Sequence, residues 1–585
     1  MINIQKKNII LFFILLLTWI IGICNIYFFN ITNQNQNYDS ILMIIIINFF
    51  IILFWLLIIK IGYLDKIILN INNKLKYIKN NNIKFIINIS IFIFIIFISI
   101  FIEKINCYIT NNKSINNYKI YLYITVGFVF YFIIVLNKYP EKLFFHISIT
   151  IGLLCILSFP PYVHTTWDEG IHYKRSVEQS YIKKVYLNNS IIKLSSSIPI
   201  LYININLFDK NIRNDFLDDV NSKENTIITS SYNKKNNLYT HLAYIPAGLM
   251  IFIGRSLALK ESNIFILGRI GIHFFYTLIV YFALRRLLSG KYILIVIALL
   301  PTIFYQSVTY TYDYWIIAFL MLGFSYFFYE IQNPLKKINI KNLIIMITSF
   351  ILALSPKAIY FPLMIILYFL PPKKFDNIKK YKNYILIVTF FIFLIILSFI
   401  LPLLYSKGDI FTDIRGGTNV SAAGQIKFIL QNPKKYAIIL FNFLKNYLNI
   451  FKEQNYFTSF AYLGNMPYHY LLLFLLTFVI FTDRNKKDIF SSNNKYKFII
   501  LILIFITIIL FITAIYVSFT GVGSYNIRGV QKRYLLPLLF PFSYILVGWL
   551  IKININKYLY SYIIFCIMSF ILLNSIWKLC ISKYN

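Results

Sequence analysis

Apolar runs of membrane-spanning length recur from one end of the chain to the other, separated by short polar segments rich in lysine and asparagine. A run of about 18 or more apolar residues predicts a transmembrane helix. By that pattern the first helices cover about 8–29, 41–60, 84–102, 119–137 and 143–160. The fifth stops at Phe159-Pro160-Pro161, because proline cannot continue a helix. The longest polar segment follows, over about 161–240. It ends in "HLAYIPAGLMIFIGRSLALKESN", which is apolar but broken by Pro246, Gly248 and Arg255. That stretch reads as an interfacial amphipathic helix, with a short membrane helix as the alternative. Further runs lie at about 264–284, 291–304, on both sides of "SPKAIY", and at about 384–405 and 497–518, with about two more behind them. The segment over about 425–451 is either amphipathic or spanning. The expected fold class is therefore an all-α polytopic integral membrane protein of about 13–15 transmembrane helices.

The basic residues orient these runs, since cytoplasmic loops carry the excess of lysine and arginine. Lys6 and Lys7 place the N-terminus in the cytoplasm, and "PPKKFDNIKKYK" and "DRNKKD" fall on the same side. The long segments at about 161–240 and 406–466 are then extracytoplasmic. The first run has no small-residue cleavage site behind it, so it reads as a retained helix. The expected organisation is an extra N-terminal four-helix membrane segment over about 1–140, a membrane core over about 141–551, and a C-terminal helix and tail over about 552–585.

Composition adds limits. The formal charge is +36, from 57 basic and 21 acidic residues. These charges are spread over short loops and form no single patch, so they point to the lipid bilayer as partner and away from nucleic acid. The five cysteines, Cys24, Cys107, Cys155, Cys566 and Cys580, contain no CxxC pair and read as small hydrophobes. The chain has no Walker A motif, GxSxG, HExxH or Cys/His cluster, and "GRIGIH" and "RGGTNVSAAG" lack the βαβ setting of a dinucleotide site. ATP-driven transport by this chain alone is argued against.

The candidate chemistry begins at "TTWDEGIHYKRS", where Asp168 and Glu169 follow a proline stop at a membrane mouth. A carboxylate there can take a proton from a hydroxyl or hold a divalent cation such as Mg²⁺ or Mn²⁺; its plainer reading is a solvated loop acid. His172 lies one helical turn beyond Asp168 and can orient it or bind phosphate. Asp313 in "YTYDYW" opens another helix on the same outer face, either as a helix-start acid or as a second acid of a cleft. Lys357, Arg528, Lys532 and Arg533 are cations at outer helix mouths, where the charge rule disfavours them. Together they suggest a bound anion, with a lipid phosphate as the natural candidate, or simple snorkelling to headgroups.

"LSFPPYVHTTWDEGIHYKR", "YIPAGLMIFIGRSLAL…ILGRIGI", "ALLPTIFYQSVTYTYDYW", "LSPKAIYFPLM", "SFAYLGNMPYHY" and "GVQKRYLLPLLFPF" occur in this order. The set resembles a bacterial polytopic family termed domain of unknown function 2142, over about residues 140–550. Trp167 stands where that pattern usually has proline, Lys532 where it usually has glycine, and the Gly-Trp–Asp stretch is reduced to "LGNMP". The family in turn resembles the GT-C glycosyltransferases, which take a sugar from a polyprenyl-phosphate carrier on the outer face of the membrane. The resemblance implies Asp168 as base or metal-linked acid with Glu169 as its neighbour, and Arg533, beside Tyr534, and Lys357 facing the carrier phosphate. The implied partners are a polyprenyl-phosphate-linked sugar donor and a surface glycan, lipid or protein acceptor, at the bacterial inner membrane. The alternatives are a transporter or flippase of lipid-linked sugar, or a surface-polysaccharide polymerase or ligase. A flippase predicts inverted repeats and polar sites at mid-membrane; no repeat is visible and the polar residues gather at the outer mouth.

Overall fold

The computed structural model describes residues 82–109, 116–159, 165–180, 207–222, 238–405, 419–449, 456–483, 494–546 and 556–584. The expected helices at about 8–29 and 41–60 lie outside the described residues. The chain divides into two compact units, one of residues 1–120 and 252–264, the other of residues 121–251 and 265–585.

The described residues are all-α. Helices α1 (Asn82–Ile109) and α2 (Asn117–Leu136) are strongly apolar and bury few side chains; most described side chains of α1 are exposed and most of α2 are half-buried. Helix α3 (Pro140–Ser158) starts on Pro140, whose missing N–H costs nothing at the first turn, and ends one residue before the Pro160-Pro161 pair begins. Two short helices follow, α4 (Glu169–Gln179) and α5 (Lys210–Ser222); Asp209 caps α5 by accepting from the Asn211 and Ile212 amides. A 3-10 turn, Leu238–Tyr244, leads into α6 (Ile245–Ser256) and the long α7 (Glu261–Arg286).

The next stretch departs from the sequence expectation. In place of one helix over about 291–304 there are two, α8 (Lys291–Ala298) and α9 (Pro301–Ser307). Pro301 is the reason: it forces Leu300 out of helical geometry, to ψ 131°, and restarts the helix. Helix α10 (Asp313–Gln332) is the most buried of the long helices and packs along α11 (Ile340–Leu354). The returning arm after "SPKAIY" is a 3-10 segment, Ala358–Phe369, because Pro362 sits inside it and cannot donate.

Helix α12 (Ile378–Tyr405) precedes α13 (Ala422–Gln431) and α14 (Pro433–Tyr447). The segment over about 425–451 is thus neither a single amphipathic helix nor a single span, since Pro433 divides it. Helices α15 (His469–Thr482), α16 (Asn494–Phe519), α17 (Leu536–Leu546) and α18 (Lys557–Leu579) complete the chain. Among the described residues eight helices are long and apolar enough to cross a membrane, and α11, Ala358–Phe369 and α15 are shorter apolar segments.

The core of the second unit is α8 with α10 and α17, where Ile293 through Leu300 are all shut off from solvent. Phe328 stacks on Tyr544 at 3.9 Å and locks α10 to α17. At the C-terminal end of α10 the buried Glu330 is held by Arg286 at 2.9 Å and Lys374 at 2.8 Å. Its N-terminal end, at Asp313, carries the candidate site.

Candidate functional site

Helix α4 begins with two acids, and the chain turns them to different uses. Glu169 faces inward. Its carboxylate accepts from Arg269 of α7 at 2.8 and 3.2 Å, from the Thr165 amide and hydroxyl at 3.1 and 2.7 Å, and from the Tyr310 amide at 3.2 Å. Neither side chain of the Glu169–Arg269 pair touches solvent. Five donors on one carboxylate use its acceptor capacity, and such a buried pair is sustained only when its remaining hydrogen-bond needs are met. Glu169 is built into the wall of the site.

Asp168 precedes the helix as its N-cap residue in the left-handed region, at φ 55°. An aspartate tolerates that conformation better than most residues. The turn sends its carboxylate away from Glu169 and toward Arg533, whose Nη2 lies 3.7 Å off. The Nε of the same guanidinium lies 3.5 Å from the Asp313 carboxylate at the start of α10. The indole of Trp167 covers the guanidinium carbon at 4.8 Å. Of the three acids here, Asp168 keeps 32% of its side chain exposed, Asp313 9% and Glu169 0%.

Lys357 enters from the turn between α11 and the 3-10 segment. Its ammonium lies 3.5 Å from the centre of the Tyr534 ring and 5.6 Å from that of Tyr312. The Nζ is sealed from solvent with no hydrogen-bond partner. Burial lowers its pKa to about 8, against the opposing pull of Asp313. His172 hydrogen-bonds Tyr244 through Nδ1 at 2.9 Å and meets Tyr312 edge-on at 4.9 Å. Burial lowers its pKa to about 4, with Asp313 again opposing, so the imidazole is neutral at pH 7.

Asp168, His172, Asp313, Lys357, Arg533 and Tyr534 thus meet at one end of the helix bundle. Arg528 and Lys532 do not join them. Arg528 is exposed, and its backbone amide donates to the Thr520 hydroxyl at 3.1 Å. The Lys532 ammonium turns to the Tyr447 carbonyl at 2.6 Å. Their neighbour Arg533 points the other way because the 3-10 segment Lys532–Leu535 rotates successive side chains to different faces. Arg269, which decides the role of Glu169, was not among the expected site residues. Its signal is an arginine inside the apolar run "FILGRIGIHFF", where a charge demands a partner.

The acid pair does not fit a divalent ion: Glu169 is spent on Arg269, and a guanidinium stands between Asp168 and Asp313. Among the described residues no three His, Cys, Asp or Glu side chains gather into a metal-binding group.

The arrangement offers an accessible carboxylate, a buried cation with unused donors and an aromatic lining, which suits an anion carried by an apolar molecule. Searches of curated proteins and of solved structures found no match. The family described as "Predicted membrane protein (DUF2142)" matches residues 149–541, a stretch that includes every residue of the cluster. That match covers more than half of the 585 residues, and the chain belongs to this family of predicted membrane proteins.

Proposed function

We propose that this chain is a membrane glycosyltransferase that moves a sugar from a polyprenyl-phosphate carrier to a cell-surface acceptor on the extracytoplasmic face. The observation that carries the reading is the partition of the two neighbouring acids: Glu169 is locked on Arg269, while Asp168 stays accessible beside Arg533 and within the field of Lys357. An acceptor hydroxyl loses its proton to Asp168 as its oxygen bonds the anomeric carbon. The bond from that carbon to the carrier phosphate breaks, and the electron pair leaves with the phosphate. The leaving group gains negative charge, which the Lys357 ammonium with its unused donors is suited to balance. Trp167, Tyr312 and Tyr534 pack against the two cations and give the cluster an aromatic lining, a surface type that suits a sugar ring.

The test is mass spectrometry of surface glycans and lipid-linked sugars in a deletion strain. Loss of one sugar residue, with its lipid-linked donor accumulating on the outer leaflet, supports transfer; a donor trapped on the cytoplasmic leaflet supports flipping instead. Asp168→Asn, returned to the deletion strain, is expected to leave the defect in place, and full restoration by that variant sinks the assignment of the base.

A further inference from the structure

Arg533 is 8% exposed, and two different nitrogens of its guanidinium face two different acids. Arginine is charged at every accessible pH and its planar fork can serve both partners at once. Trp167 covers the guanidinium on one side. Mg²⁺ or Ca²⁺ needs oxygen ligands at about 2.0–2.6 Å, and drawing the Asp168 and Asp313 carboxylates onto a common ion would drive it into the guanidinium. Lys357 feels the field of both acids but, among the described residues, makes no ion pair with either, whereas Arg533, whose Nε and Nη1 like the Lys357 Nζ lack a hydrogen-bond partner, has a carboxylate at 3.5 Å and another at 3.7 Å. We infer that Arg533 is the resident counter-cation of the Asp168–Asp313 pair, taking the place of a divalent metal, and that Lys357 is left as the cation that receives an anionic ligand.

The division of labour rests on the reading of this cluster as the working site, yet its test needs no transfer assay. The full-length chain is purified in detergent, and Mn²⁺ is the probe, with bound and free ion counted by electron paramagnetic resonance. The wild type is expected to hold no saturable Mn²⁺ at this site. Arg533→Gln removes the guanidinium that stands between the two acids and is expected to gain about one equivalent of bound Mn²⁺, lost again when Asp168→Asn is added. Arg533→Lys keeps the charge and is expected to exclude Mn²⁺ as the wild type does, which supplies a second readout where the glutamine variant fails to fold. One Mn²⁺ bound by the wild type and lost in Asp168→Asn or Asp313→Asn overturns the inference. So does a folded Arg533→Gln protein that gains no Mn²⁺. Failure of the glycan experiment leaves these ion counts unchanged, so the two readings fail separately.

Discussion

Glu169 and Arg269, 100 residues apart in the chain, form an ion pair closed to solvent at 2.8 Å. Removing one partner strips the other, still buried, of this counter-charge, at a cost of about 3–5 kcal/mol. Glu169→Gln and Arg269→Met are therefore expected to lower folded yield and melting temperature sharply, as measured by size-exclusion profile and thermal denaturation in detergent. A Glu169→Gln protein that melts like the wild type removes the structural role argued for this acid.

Asp168→Asn should behave in the opposite way. Asparagine accepts the left-handed backbone at φ 55° as readily as aspartate. The variant is expected to fold with unchanged melting temperature while, on the proposed function, sugar transfer falls at least about 100-fold. Asp168→Ala adds a backbone cost of about 1 kcal/mol at the same position. The ordering of the two melting temperatures checks the geometry apart from the chemistry.

Lys357 gives a pH signature. Its pKa is lowered from 10.5 to about 8 by burial. The unfolded chain therefore binds more protons than the folded one between about pH 8 and 10, and the stability contribution of this residue rises across that window. Below pH 8 the buried charge is a penalty on the order of 3 kcal/mol. Lys357→Met is expected to melt higher than the wild type at pH 7, with the difference shrinking toward pH 10. Anion binding should move the other way in the wild type, weakening as pH rises through 8.

Two of the buried histidines, both outside the membrane-spanning helices, act on the acid side. His172 and His241 both have pKa values lowered to about 4, chiefly by burial. The unfolded chain takes up protons from about pH 6.5 downward and the folded chain only near 4, so stability is full above 6.5 and declines as the pH falls through that window. His172→Gln is expected to flatten part of this decline in a melting-temperature profile between pH 7 and 4. An unchanged slope in the variant counts against a neutral buried His172.

Gly152 tests the seam between α3 and α7. A Cβ built there would lie 2.0 Å from His273 Nε2, and that nitrogen sits 2.9 Å from the Ser148 carbonyl. Gly152→Ala is expected to destabilise the protein by about 1–3 kcal/mol by displacing the imidazole. Thermal denaturation of the variant measures it, with His273→Ala in the alanine background expected to recover part of the loss.

Sequence alone determined that the chain is a polytopic membrane protein, and for the long apolar helices among the described residues it placed most limits within a few residues. Hydropathy, prolines and flanking charges act over one or two helical turns, and they are readable without the fold. The same locality singled out Asp168, His172, Asp313, Lys357 and Arg533, because a charge at a membrane mouth stands out from its neighbours. The tertiary structure decided how those charges are spent. Adjacent Asp168 and Glu169 share one sequence context, yet a left-handed turn and an arginine 100 residues away send one outward and seal the other. Adjacent Lys532 and Arg533 divide in the same way, one on a backbone carbonyl and the other between two acids. Ion pairs between distant segments depend on how helices pack, and no hydropathy pattern encodes which of two neighbouring side chains will face the partner.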